Sequence, residues 1–122
     1  NLLSDLDWIV PPHVPDHYVH GYQAYVTLFR PEVPNLSNIE QLSDLRNRIM
    51  VDLESKGIST RQGTHAPVIQ TYYAEKYSLK HEQFLAAYTA DRLTLALPMY
   101  VGLTQEEQSF IVESLSQAYE EL

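Results

Sequence analysis

Arg61, Thr64 and His65 fall within five residues of one another, in the run GISTRQGTHAP from Gly57 to Pro67. A guanidinium can grip a phosphate oxygen bidentately, and a hydroxyl and an imidazole beside it can hydrogen-bond phosphate or sugar oxygens. Such a cluster would position a ligand, not break its bonds. The structural alternative is an arginine at a strand end paired with a surface acid, and a histidine capping a turn. Tyr72 and Tyr73 lie just beyond the run. A phenol can stack on a base or sugar and donate from its hydroxyl, but in a chain with nine tyrosines packing is the commoner duty of any one of them.

Other reactive side chains are less persuasive. His13, His17 and His20 would suit zinc or nickel if their segment folded back on itself, yet Pro11, Pro12 and Pro15 leave no helix to align them, and ordinary solvent exposure is expected. Ser78, His81 and Glu82 are close in sequence without forming a motif. Asp91 and Arg92 read as an exposed or interfacial ion pair. Lys56, Lys76 and Lys80 sit in polar surroundings, whereas a Schiff-base lysine needs burial or a charged neighbour to lower its pKa. No catalytic residue and no metal ligand is assigned, and the isolated chain is expected to be inactive.

The elements that must hold the cluster can be traced along the chain. YQAYVTLF, Tyr22 to Phe29, reads as a strand with an apolar face of Tyr22, Ala24, Val26 and Leu28 and a mixed face of Gln23, Tyr25, Thr27 and Phe29; Pro31 and Pro34 end it. Ser37 and Glu40 have capping-box spacing, and Ile39, Leu42, Leu45, Ile49 and Leu53 then recur at helical steps, with Asp44, Arg48 and Asp52 opposite as i,i+4 charges. Gly57 supplies a left-handed stop, and Ile58 to Arg61 a second strand. A helical turn is expected over Val68 to Tyr77, a helix around Gln83 to Thr89, and a third strand at Leu95 to Leu97. Thr104 and Glu107 form a second capping box, opening a final helix with Phe110, Ile111, Leu115, Ala118 and Leu122 on its apolar face. The predicted fold is α+β, a small antiparallel or mixed sheet of about three strands packed against helices. Residues 1–20, with their three prolines, read as a connecting arm, and residues 21–122 as the domain.

Composition narrows the classes. A chain of 122 residues with 44% hydrophobic side chains can build one core. A formal charge of −8 is a poor match to a phosphate backbone, so no nucleic-acid partner is expected. No apolar run approaches the ~20 residues that span a bilayer, and the opening NLLSDLDWIV carries acids where a signal peptide carries bases, so no membrane partner is expected and the location is read as cytoplasmic. The absence of cysteine excludes disulfides and thiolate chemistry. A first residue of Asn rather than Met suits a segment of something longer.

YQAYV (Tyr22–Val26), the capped helix, KGISTR (Lys56–Arg61), GTHAP (Gly63–Pro67), TYYAEKY (Thr71–Tyr77), ALPMY and GLTQEEQ occur in an order and spacing that resembles the small C-terminal domain of the DegT/DnrJ/StrS family. The resemblance implies the small domain of a fold-type I aminotransferase that uses pyridoxal phosphate (PLP) to aminate a nucleotide-linked keto-sugar, in routes to cell-surface polysaccharides or antibiotic sugars. It implies that the Schiff-base lysine, the phosphate-binding residues and the acid facing the pyridinium nitrogen belong to a large N-terminal domain with no counterpart here. No cofactor would then bind this chain alone, and the parent would be a PLP-dependent homodimer with active sites near its interface. The chain would shape the sugar-nucleotide pocket, with Arg61, Thr64, His65 and Tyr72 as substrate contacts. GTHAP stands where many members have a Tyr-containing loop before a Pro and His. The alternative is a non-catalytic binding or regulatory module of the same fold.

Overall fold

Tyr25–Phe29 (β2) and Thr94–Leu97 (β4) pair antiparallel at the centre of a sheet completed by Ile9–Val10 (β1) on the β2 side and Arg61–Gln62 (β3) on the β4 side. This is a computed structural model, describing residues 2–122. Among these residues the helices are Ile39–Ser55 (α1), Thr71–Tyr77 (α2), Leu85–Leu93 (α3) and Gln105–Glu120 (α4), with single 3-10 turns at Pro67–Ile69 and His81–Gln83. The α+β class therefore holds, with a wholly antiparallel sheet of four strands where about three were expected. No helix among the described residues is long and apolar enough to cross a membrane.

The additional strand comes from the segment read as a connecting arm. Leu3, Trp8 and Ile9 are buried in the core. Trp8 stacks on Tyr119 of α4 with ring centroids 4.1 Å apart, meets Phe29 edge-on at 5.8 Å, and accepts from the Arg30 amide at its carbonyl (2.7 Å). Large aromatic area and edge-on geometry make this a strong anchor. The proline-rich stretch 11–24 that follows contains neither helix nor strand.

On β2 the face expected to be mixed is the one that meets the core: Thr27 and Phe29 are buried, whereas Val26 and Leu28 are half-buried. Thr27 is accommodated because its hydroxyl donates to the Leu95 carbonyl at 2.9 Å, so the buried polar group is satisfied. Leu95 and Leu97 stand opposite Thr27 and Tyr25 on the same face.

The start of α1 differs from the expected capping box. Asn38 is the N-cap residue, its side-chain oxygen accepts from the Asn35 amide, and the Ser37 hydroxyl donates to Asn35 Oδ1. Two asparagines three residues apart thus take over the turn. Glu40 is released from capping and instead accepts from the Tyr88 hydroxyl and pairs with Arg92 on α3. Ile39, Leu42, Ile49 and Leu53 are buried as expected, Leu45 is half-buried, and Arg46 occupies the stripe beside it. Asp52 pairs with Lys56 at 2.7 Å, a partly exposed contact of little energetic weight. Gly57, at φ +79°, closes the helix: its amide donates to the Glu54 carbonyl and the Ile58 amide to that of Leu53. Ile58 is drawn into the core by that turn, so β3 begins only at Arg61.

At α4 the capping box forms as read. Thr104 Oγ1 accepts from the Glu107 amide, and Glu107 Oε2 accepts from the Thr104 amide at 2.8 Å. Ile111, Leu115 and Ala118 are buried, while Phe110, expected on the same face, is half exposed and lines a groove described below.

Replacing Trp8 with Ala should lower unfolding free energy by about 3 kcal/mol, the usual cost of deleting a buried aromatic. Urea denaturation followed by circular dichroism measures it; a loss below about 1 kcal/mol would detach residues 2–10 from the core. The second prediction concerns pH. The Thr104 amide, and then the Tyr100 hydroxyl, hold the Glu107 carboxyl below its usual range. A lowered folded-state pKa stabilises above the unfolded value of about 4.3, and that stabilisation disappears as pH falls through the folded value. Glu107→Gln should therefore unfold at lower urea than the parent near neutrality, with the gap closing in acid; a constant gap would show a cap that works without charge.

Candidate substrate-facing loop

After Gly57 the chain reaches the sheet edge, where Arg61 stands opposite Ala96 and Gln62 opposite Leu95. Since neighbouring strand residues point to opposite faces, Arg61 shares a row with Ala96 and Val26, and Gln62 a row with Leu95 and Thr27. Arg61 is exposed. It lies on the face away from the core.

Gly63 then presses against the sheet. A methyl group there would collide with Val26 Cγ1 and lie 2.9 Å from Thr94 Cβ and Oγ1, so only glycine fits this approach. Its amide donates to the Thr94 carbonyl (3.4 Å). Thr64 and His65 follow, both exposed, and Ala66 turns inward to 3% exposure. Gln62 organises the two exposed residues. Its side-chain nitrogen donates to the Thr64 carbonyl at 2.7 Å and lies 3.2 Å from His65 Nδ1. A carbonyl cannot face a carbonyl, so the amide group must point its NH₂ at Thr64, and the second hydrogen goes to His65 Nδ1. With Nδ1 accepting there, a neutral ring carries its proton on Nε2.

The structure thus brings Thr64 and His65 together through Gln62, and places Arg61 on the opposite face of the strand. Tyr72 lies on α2, exposed, with its hydroxyl accepting from Lys76 at 2.9 Å and its ring edge-on to Tyr73 at 5.2 Å. Among the described residues no hydrogen bond or ring contact joins it to the loop.

The Asp91–Arg92 pair is not the exposed or interfacial ion pair expected from the sequence. Asp91 is 2% exposed and accepts from the Ala66 amide through Oδ2 at 2.8 Å. Its distance to Arg92 is 3.9 Å, and Arg92 turns instead to Glu40 (3.3 Å) and over the Tyr88 ring. Arg46 is 4% exposed and donates to the Thr94 carbonyl at 3.1 Å. Burial pulls its pKa down, Asp91 opposes that shift and Arg92 adds to it. Burial, and donation to Glu40, push the Tyr88 phenol up. His13, His17 and His20 are exposed, His20 Nδ1 accepting from the Tyr22 amide, and no His, Cys, Asp or Glu group suited to a metal occurs among the described residues.

Gln62, Arg46 and Asp91 were absent from the sequence-derived site. For two of them a signal existed: Arg46 falls four residues after Leu42 and three before Ile49, and Asp91 three after Tyr88, so each is a charge on an apolar stripe.

A second feature lies at the far end of β4. Two adjoining open grooves, about 590 and 460 Å³, share Pro98, Met99, Tyr100, Leu103 and Ile111, and Phe110 borders the smaller.

Gly63→Ala should cost about 1–3 kcal/mol by overpacking, because Thr94 is held through its hydroxyl bond to the Ala90 carbonyl and cannot easily yield. Thermal denaturation checks this, and a neutral effect would show that the approach is loose.

A search among curated proteins returned no match. Among solved structures, a "Putative sugar aminotransferase" from Streptococcus pneumoniae, in its apo form, superposes with a TM-score of 0.75 at 18% identity, covering 98% of this chain and 28% of its own. The chain thus spans about a quarter of that protein's length, and the likeness is one of fold. A family model matches residues 3–116, nearly the whole chain, and by that match the protein belongs to the DegT/DnrJ/EryC1/StrS aminotransferase family.

Proposed function

We propose that this chain is the small C-terminal domain of a PLP-dependent aminotransferase acting on a nucleotide-linked keto-sugar. The observation that carries the reading is the family match over residues 3–116, in a chain that covers 28% of its structural neighbour. The remainder of such an enzyme is an N-terminal domain that holds the cofactor, and the working form is a cytoplasmic homodimer. Residues 1–20 serve as the approach from that domain, with Leu3, Trp8 and Ile9 packed into the fold.

The residues here do not fit PLP as a covalent cofactor. Lys56 is paired with Asp52, while Lys76 and Lys80 are exposed and Lys76 is given to Tyr72. None is buried in an apolar setting, the environment that activates a lysine for attack on an aldehyde. The chain's own part is recognition. His65 Nε2–H and the Thr64 hydroxyl offer hydrogen bonds to sugar or phosphate oxygens, Arg61 supplies positive charge from the opposite face of the strand, and Tyr72 presents a ring on which a planar group can stack. The apolar grooves around Pro98 and Tyr100 supply surface for the partner domain or subunit.

The test is made on the natural protein that carries this chain. Purified, it should retain PLP, seen by its visible absorption, and transfer an amino group from glutamate or glutamine to one of a panel of UDP-, dTDP- or GDP-linked keto-sugars. His65→Ala and Arg61→Ala should raise KM about tenfold, with kcat per folded enzyme little changed, the pattern of lost ground-state binding. A natural protein with no lysine-bearing domain, no PLP and no transfer would sink the reading and favour a non-catalytic module.

A further inference from the structure

The loop that displays Thr64 and His65 is held at both ends by one short segment of chain, the junction of α3 with β4. At the leading end the Gly63 amide donates to the Thr94 carbonyl. At the trailing end the Ala66 amide donates to Asp91 Oδ2 at 2.8 Å. The two anchors differ in kind. The first is sheet-edge backbone pairing, which many sequences could make. The second depends on one side chain, that of Asp91, which reaches from the last turn of α3 to an amide in another segment.

Burial makes that side chain's placement specific. A carboxylate 2% exposed must be matched by donors or positive charge. Asp91 has the Ala66 amide on Oδ2, the Arg92 guanidinium 3.9 Å from Oδ1, and the buried charge of Arg46, which itself donates to Thr94. The carboxylate is therefore restrained from several directions, and it passes that restraint to a loop whose middle residues lie in solvent. Besides this bond, Thr64 and His65 are tethered from the Gly63 side, through the amide of Gln62, and by the burial of Ala66, whose carbonyl accepts from the Ile69 amide.

We propose that Asp91 is a positioning residue for substrate recognition: by holding the Ala66 amide it fixes the direction in which Thr64 and His65 face a sugar-nucleotide. This rests on the reading that the loop faces substrate. Asp91 touches no ligand and acts through the loop.

The test uses the natural protein and the keto-sugar nucleotide that it accepts. In Asp91→Ala, hydrogen exchange of the peptide spanning residues 63–67 should accelerate at least about tenfold while β2 and β4 remain protected, and KM should rise about tenfold with kcat per folded enzyme little changed. Asp91→Asn keeps an acceptor for Ala66 and should restore both loop protection and KM to near the parent values. A merely structural role would lower the folded fraction and leave KM alone. Unchanged loop exchange, or unchanged KM, in folded Asp91→Ala overturns the proposal. If that variant does not fold, Asp91→Asn decides: a folded Asn variant with a deprotected loop or a tenfold higher KM overturns it, and parental values support it. Should Arg61→Ala and His65→Ala also leave KM unmoved, the substrate-facing reading itself fails; if they raise it and Asp91→Ala does not, only the positioning role fails.

Discussion

Two ionised side chains, Arg46 and Asp91, are removed from water, and the need to partner them ties together parts of the molecule that apolar packing alone would leave free to slide. Charges in the interior cost several kcal/mol each unless hydrogen bonds and opposite charge replace the lost hydration. Here each reaches a main-chain group in another element: Arg46 of α1 the Thr94 carbonyl, Asp91 of α3 the Ala66 amide. A leucine at either position would fill space without choosing a partner. The charges choose one, and so set the register of α1 against β4 and of α3 against the loop after β3. A second polar link, from Glu40 to Tyr88 and Arg92, joins the opposite end of α1 to α3.

What results is a division of labour along a short stretch of sequence. Gln62, Gly63 and Ala66 are committed to the scaffold, one through its side-chain amide, one by having no side chain, one by burial. Thr64 and His65 are committed to nothing beyond their own strand of chain and are free to meet another molecule. Rigid support under exposed polar groups is what recognition requires, because each rotor frozen before binding is one that binding need not freeze.

The parts legible in the sequence are those whose causes lie within a helical turn. Gly57 as a left-handed stop, the Thr104–Glu107 box, and most of the α1 stripe all follow from neighbours three or four residues away. Ser37 shows the limit of that logic: it had the right spacing to Glu40, but Asn35 competed for it locally and Tyr88 with Arg92 drew Glu40 away across the fold. Asp91 was misread and Arg46 passed over for the same reason: each is visible as a charge on an apolar stripe, but their partners lie 25 and 48 residues distant and no local pattern names them. Trp8 belongs in this group, its stacking partner being Tyr119 at the other end of the chain. The loop's residue types were legible; its clamps were not.

The strand order β1-β2-β4-β3 has a bearing on how the chain comes to be made. β2 and β4 form the centre of the sheet, yet α1, β3, α2 and α3 intervene between them. Closing so long a loop adds little to the equilibrium cost, because that entropy grows only with the logarithm of length. It weighs on the rate, since non-local pairing must be searched for. During synthesis YVTLF, aromatic and β-branched, leaves the ribosome well before Thr94–Leu97 and waits with one edge unpaired until that strand emerges. For that interval it is an open strand of the kind that pairs with the wrong chain. A premature stop anywhere before Thr94 would make the interval permanent, so truncated products of this chain should be aggregation-prone rather than merely loosened.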